Sequence, residues 1–158
     1  MDANVRQAVI QSLTNAQTAI RANMASEGVN ASGRTSKSLR VEERGDSIVL
    51  VIGGDRSIFG RTAPLETLQT GSNPGLRGDW FKSVIYHWTK EKGLSFENES
   101  HRWAWSTIVA RNIEESGTAR HRNPIVVYSD VVEQTKTEIR SLIIGDFQAM
   151  LSTMIKSI

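Results

Sequence analysis

The run Ile48, Val49, Leu50, Val51 and Ile52 is apolar at every position, and no other stretch narrows the possible folds as much. It follows Leu39 and Val41, which alternate with Arg40 and Glu42, across a tight turn at Arg44, Gly45 and Asp46. Successive strand side chains point to opposite faces, so the pattern predicts a β-hairpin. Its second strand, apolar on both faces, is expected inside a sheet or beneath helices and neighbouring subunits, with the half-polar first strand outside it.

Helical periodicity frames this hairpin. Between Asp2 and Ala25 the residues Val5, Val9, Leu13, Ala16, Ile20 and Met24 recur every three or four positions and form one stripe, closed by Gly28. Phe81, Val84, Ile85 and Trp88 predict a second helix that ends at Gly93 after Lys90 and Lys92, with Asp79 as its cap. A third is expected from Asn98 or Glu99 to Gly117 with Trp105, Ile108, Val109 and Ile113 on one face; the two make a helical hairpin. Ile125 to Tyr128 reads as a short strand after Asn123 and Pro124. Asp130 then caps a long helix bearing Val132, Thr135, Ile139, Leu142, Ile143, Phe147, Met150, Leu151, Met154 and Ile158, which Gly145 can bend. The fold class is α+β: an N-terminal helix, a small antiparallel sheet, an inserted helical hairpin at about 79–117 and a long C-terminal helix, in one domain over 1–158.

At 158 residues such a chain buries enough surface to fold without covalent staples. It has no Cys, which removes disulfides, thiolate nucleophiles and Cys-ligated zinc. Met1 to Ala8 is polar where a signal peptide is apolar, and no run approaches the ~20 apolar residues of a membrane span, so a soluble, cytoplasmically made protein is expected. Net charge is +2, too small for a strong field toward nucleic acid. The local excess is Arg102, Arg111, Arg120 and Arg122, with His121 among them; a patch of this size is ordinarily a solvated face or a subunit contact.

Catalytic readings find little to stand on. Ser32 to Ser36 has the composition of a phosphate cradle, but it lacks the Gly-rich frame and the Lys before Ser/Thr at a helix head, and it runs toward a strand. His87, His101 and His121 lack zinc-helix spacing, no Ser sits in a nucleophile elbow, and the acids show no paired spacing. No cofactor or metal is expected, and an enzyme is the weak hypothesis. Arg44, Gly45, Asp46 and Arg77, Gly78, Asp79 spell an integrin-binding tripeptide twice, but a hairpin turn and a helix cap explain both. All four Trp fall in the helical hairpin; Trp88 and Trp105 lie on the apolar stripes, which leaves Trp80 and Trp103 for the surface.

The order of these pieces resembles the neck and tail-completion family of long-tailed bacteriophages. Ser32, Gly33, Arg34, Thr35, Ser36, Lys37, Ser38, Leu39 is similar to the family's small-polar lead into its first strand. The turn Leu65, Glu66, Thr67 with Thr70, Gly71 is similar to its Glu and Gly/Thr signature, although the spacing from Glu66 to Gly71 is looser than in typical members. Asn73, Pro74, Gly75 before Phe81, Ile85, Trp88, Lys92 and Gly93 resembles the helical insertion of one branch. Ile108, Ala110, Arg111, Ile113, Ser116, Gly117, Thr118 resembles that branch's second helix, and a final amphipathic helix closes the domain.

The resemblance implies a non-enzymatic virion protein. Its copies form a homo-oligomeric ring at the head-tail junction or the top of the tail, between portal or connector and tail-tube proteins, with DNA passing through the lumen and no membrane involved. The expected subunit interface comprises Arg44 and Asp46 in the hairpin turn, Ile58 and Phe59 in the Gly53 to Arg61 loop, and Phe147, Met150, Leu151 and Met154 on the last helix. Arg111, Arg120 and Arg122 are expected to face DNA or a partner. The alternative is a small nucleic-acid-binding module on the Trp/Arg surface of residues 80–122, using Trp80 and Trp103 with Arg102, Arg111, Arg120 and Arg122.

Overall fold

A computed structural model describes residues 2–29, 33–51 and 69–156. The fold is α+β and mostly helical: α1 (Ala3–Ser26), α2 (Arg34–Ser38), β1 (Arg40–Arg44), β2 (Ser47–Val51), α3 (Trp80–Glu91), α4 (Glu99–Ser116), α5 (Ala119–Arg122) and α6 (Ser129–Lys156). The chain divides into two compact units, one built from Met1–Asn23, Leu39–Ile52 and Val126–Ile158, the other from Met24–Ser38 and Gly53–Ile125.

The first unit is organised by α1. Asp2 starts that helix by accepting the Asn4 amide at 3.0 Å, which satisfies one of the donors a helix start leaves free. Val9, Leu13, Ala16 and Ile20 are buried along its expected stripe, joined in this unit's core by Leu39 and Val127. Polar residues of α1 anchor the irregular connections. Gln17 and Arg21 both donate to the Leu39 carbonyl, at 2.5 and 2.9 Å, and Asn23 donates to the Val127 carbonyl at 3.0 Å. Ser12, itself buried, donates to Glu138 on α6 at 2.7 Å.

β1 and β2 pair antiparallel, from Arg40 with Val51 to Arg44 with Ser47, around a turn at Gly45 and Asp46. They make a two-stranded sheet, so among the described residues β2 pairs with one strand; of the settings expected for it, inside a sheet or beneath helices and neighbouring subunits, the first is not found. No residue of β2 is fully buried. The expected strand at Ile125 to Tyr128 is irregular chain. Pro124 has no amide to donate, Ile125 makes one backbone bond, to the Gln69 carbonyl at 3.1 Å, and Val127 serves as a single buried plug. The polar stretch Ser32 to Ser36, expected to run toward a strand, leads first into α2, which takes up Arg34–Ser38.

The second unit holds the helical hairpin. Phe81, Ile85 and Ala110 form its core, with Val84, Trp105, Val109 and Ile113 packed around them. Asn98 caps α4 by accepting the His101 amide at 2.8 Å. Three expectations fail here for physical reasons. Asp79 makes no side-chain cap bond and instead lies 3.3 Å from Lys82 Nζ. Ile108 points outward, because the buried line of α4 runs through the small residues Ser106 and Ala110, which a count of large apolar residues passes over. Trp88 is as exposed as Trp103, since Thr89 fills the seam beside it and is fully buried. Asp130, for its part, lies inside the first turn of α6, which begins at Ser129.

Candidate functional site

In sequence Arg102 belongs with the basic patch, but its side chain closes the hairpin. Its guanidinium donates from Nη1 to Thr89 Oγ1 and to the Leu94 carbonyl, both at 3.0 Å, and lies over the Phe96 ring at 4.7 Å. Its Nε is buried without a hydrogen-bond partner, 3.6 Å from Glu99. Glu99 also accepts a short hydrogen bond from the Tyr86 hydroxyl and lies 3.4 Å from Lys90 Nζ. Tyr86 first and Lys90 after it hold the Glu99 carboxyl below the ordinary carboxylate value; Tyr86 first and then Glu99 raise Lys90. This network is a clasp between α3 and α4.

The other basic residues have different surroundings. Arg111 is exposed on α4, Arg120 approaches Glu27 at 3.9 Å, and the side chain of Arg122 lies outside what the structure describes. Trp103 rests on Tyr86 and Lys82, at 5.3 and 6.0 Å. With helix residues advancing about 100° each, Lys82 and Tyr86 sit on the flank of α3 away from Trp80. Trp80 and Trp103 therefore do not form one stacking platform.

Ahead of α3, the loop from Gly71 to Gly78 is locked onto the end of α4. Thr118 carries the junction: its amide donates to the Ser72 carbonyl at 3.0 Å, while its hydroxyl accepts from Ser72 N at 2.9 Å and from His121 N at 3.2 Å. Glu114 accepts the Gly75 amide on its carbonyl at 2.8 Å and the Arg77 amide on its side chain at 3.0 Å. Gly71 has φ +73°, and a Cβ there would stand 2.3 Å from the His121 amide nitrogen, so only glycine fits. Arg77 folds back onto the Gly75 and Asn73 carbonyls and over Phe81, which removes it from any extended Arg-Gly-Asp display. In the turn at Arg44 to Asp46, Arg44 and Arg40 both bind Glu42, and that pairing, Arg44 foremost, lowers the Glu42 pKa.

Neither of two open grooves among the described residues carries a recognisable reaction centre. One, of about 880 Å³ in the second unit, is lined by Trp88, Val109, Ile113, Thr118 and Arg120 among others, with no carboxylate or imidazole among its described lining residues. The other, of about 620 Å³ in the first unit, lies along α6 and is lined chiefly by Leu13, Leu50, Val132, Ile139, Ile143 and Ile144. No group of three His, Asp or Glu among the described residues has metal-site geometry.

The last helix is the feature without an internal explanation. Its first half is tied into its unit through buried Thr135 and through Glu138. Beyond Arg140 the apolar residues continue, but Ile143, Ile144, Phe147, Met150, Leu151, Met154 and Ile155 are exposed, Phe147 at 54% and Ile155 at 71%. Four of the expected interface residues therefore form one continuous exposed apolar face. Ile58 and Phe59 lie outside the described residues, as does the Leu65 to Leu68 part of the signature turn. No described helix is long and apolar enough to cross a membrane. No family model, curated protein or solved structure matches the chain.

Proposed function

We propose that this chain is a structural subunit of a tailed bacteriophage, forming a ring at the head-tail junction or the top of the tail and joining portal or connector to the tail tube. The observation that carries the reading is the second half of α6, a helix face on which seven large apolar side chains stay 38% to 71% exposed. Monomeric proteins rarely leave more than a few hundred Å² of contiguous apolar surface in water. A ring subunit needs such a surface, because heterologous contacts with like copies close only if each copy buries a flank against its neighbour. The order of motifs supports the same reading, with β2, only half covered in its own unit, as a second surface for a neighbour. In this role the protein acts through shape and performs no reaction. Electron microscopy of the purified protein and mass spectrometry of intact particles test it: rings in the first and the chain in the second are expected, and its absence from particles ends the proposal.

A further inference from the structure

Resting on the ring reading, we infer that the exposed half of α6 packs against α6 of a neighbouring copy, parallel and in register, as a short coiled-coil seam. Ile144, Phe147, Leu151 and Met154 follow one another at steps of three, four and three, the a and d spacing of a heptad seam. Ile143 and Met150 flank that line on one side and Ile155 on the other. The stripe is therefore wider than a lone pair of helices requires and has room for a neighbour on each side.

Charge and area favour a second copy as the occupant. From Ser141 to Ile155 the only charged residue is Asp146, and there is no Lys or Arg. A helix that lies on an anionic membrane carries cations along its polar face, and one that grips nucleic acid needs them to neutralise phosphates. The complement of this face is another apolar helix. Seven side chains of this size, each presenting on the order of 150 Å² and left about half exposed, amount to roughly 500 Å² per helix. Pairing two such faces removes about 1,000 Å², the lower bound for a specific interface. Copies arranged about one rotation axis share one polarity, which brings Leu151 beside its equivalent in the next copy and leaves Ser152 facing away.

The chain has no Cys, so single cysteines report this contact directly. Leu151→Cys is expected to give disulfide-linked dimers under mild oxidation, because parallel seam positions approach to the ~4 Å Cβ separation that a disulfide needs, and Ser152→Cys is not. Leu151→Asp is expected to reduce the particle to monomer mass while the far-ultraviolet helix signal persists. Rings that form normally but do not cross-link at Leu151, or that cross-link equally at Ser152, overturn the seam and leave the ring standing. A wild-type chain that stays monomeric at high concentration also overturns the seam, and its absence from particles removes the ring reading with it.

Discussion

The first and last helices carry the same kind of apolar periodicity and meet opposite fates. On α1 the stripe through Val9, Leu13, Ala16 and Ile20 is buried; on the second half of α6 the stripe through Phe147, Met150, Leu151 and Met154 is exposed. Polar side chains account for part of the difference. Ser12, Gln17, Arg21 and Asn23 on α1 each bind a group elsewhere in their unit, whereas α6 beyond Glu138 makes few such attachments among the described residues, one of them a 3.4 Å contact from the Asp2 amide to Asp146. Periodicity thus establishes that a face is apolar, and the polar residues beside it indicate whether the chain itself covers that face.

The largest expected effect is on the buried side of this comparison. Ile20 is fully buried, so Ile20→Ala should cost about 2–5 kcal/mol in urea unfolding. Phe147→Ala, in dilute protein, should cost under ~1 kcal/mol, as surface substitutions do. Equal losses would mean that the two stripes are covered alike.

Next comes the junction at Gly71, a surface closed within the chain by backbone fit. Gly71→Ala should destabilise by roughly 2 kcal/mol or more, since it combines left-handed strain with a clash against backbone; thermal unfolding reads it. Thr118→Ala, which removes a cap as well as the bond to Ser72, should cost about 1 kcal/mol, and Thr118→Ser should recover most of it.

The smallest effect is the pH response of the hairpin clasp. Glu99 has a lowered pKa in the folded chain, so its contribution is complete above the ordinary carboxylate value of 4.5 and is lost as pH falls through the lower folded value. Lys90 behaves in the opposite sense: raised above 10.5, it contributes fully below that value and loses its contribution as pH rises past the folded one. Melting curves of Glu99→Gln against wild type should converge on acidification and separate toward neutral pH. A separation that does not change with pH would remove Glu99 from the clasp.

Much of the architecture was legible in the chain. The hairpin turn at Gly45, the cap at Asn98, the helix stops at Gly93 and Gly117 and both long stripes follow from local rules that each need only a few neighbouring residues. What escaped depended on distance in sequence. Nothing near Thr118 announces that Ser72 will pair with it, and Arg102 looks like a surface cation until Thr89, Leu94 and Phe96 are seen around it. The buried line of α4 is hidden from a hydropathy pattern because small residues, Ser106 and Ala110, let helices approach, while hydropathy favours large ones such as Ile108. Of the candidate site, the sequence pattern shows that the α6 residues are apolar and share one face, and the fold shows that this face is exposed.

Sedimentation equilibrium of the wild-type chain and of Phe147→Asp, from sub-micromolar to high-micromolar protein, tests most directly whether like copies cover the last helix. The wild-type mass should climb to a whole multiple of the monomer, and the Phe147→Asp chain should stay monomeric with its helix content intact. A wild-type chain that remains monomeric throughout, or a Phe147→Asp chain that associates as the wild type does, would contradict coverage by like copies.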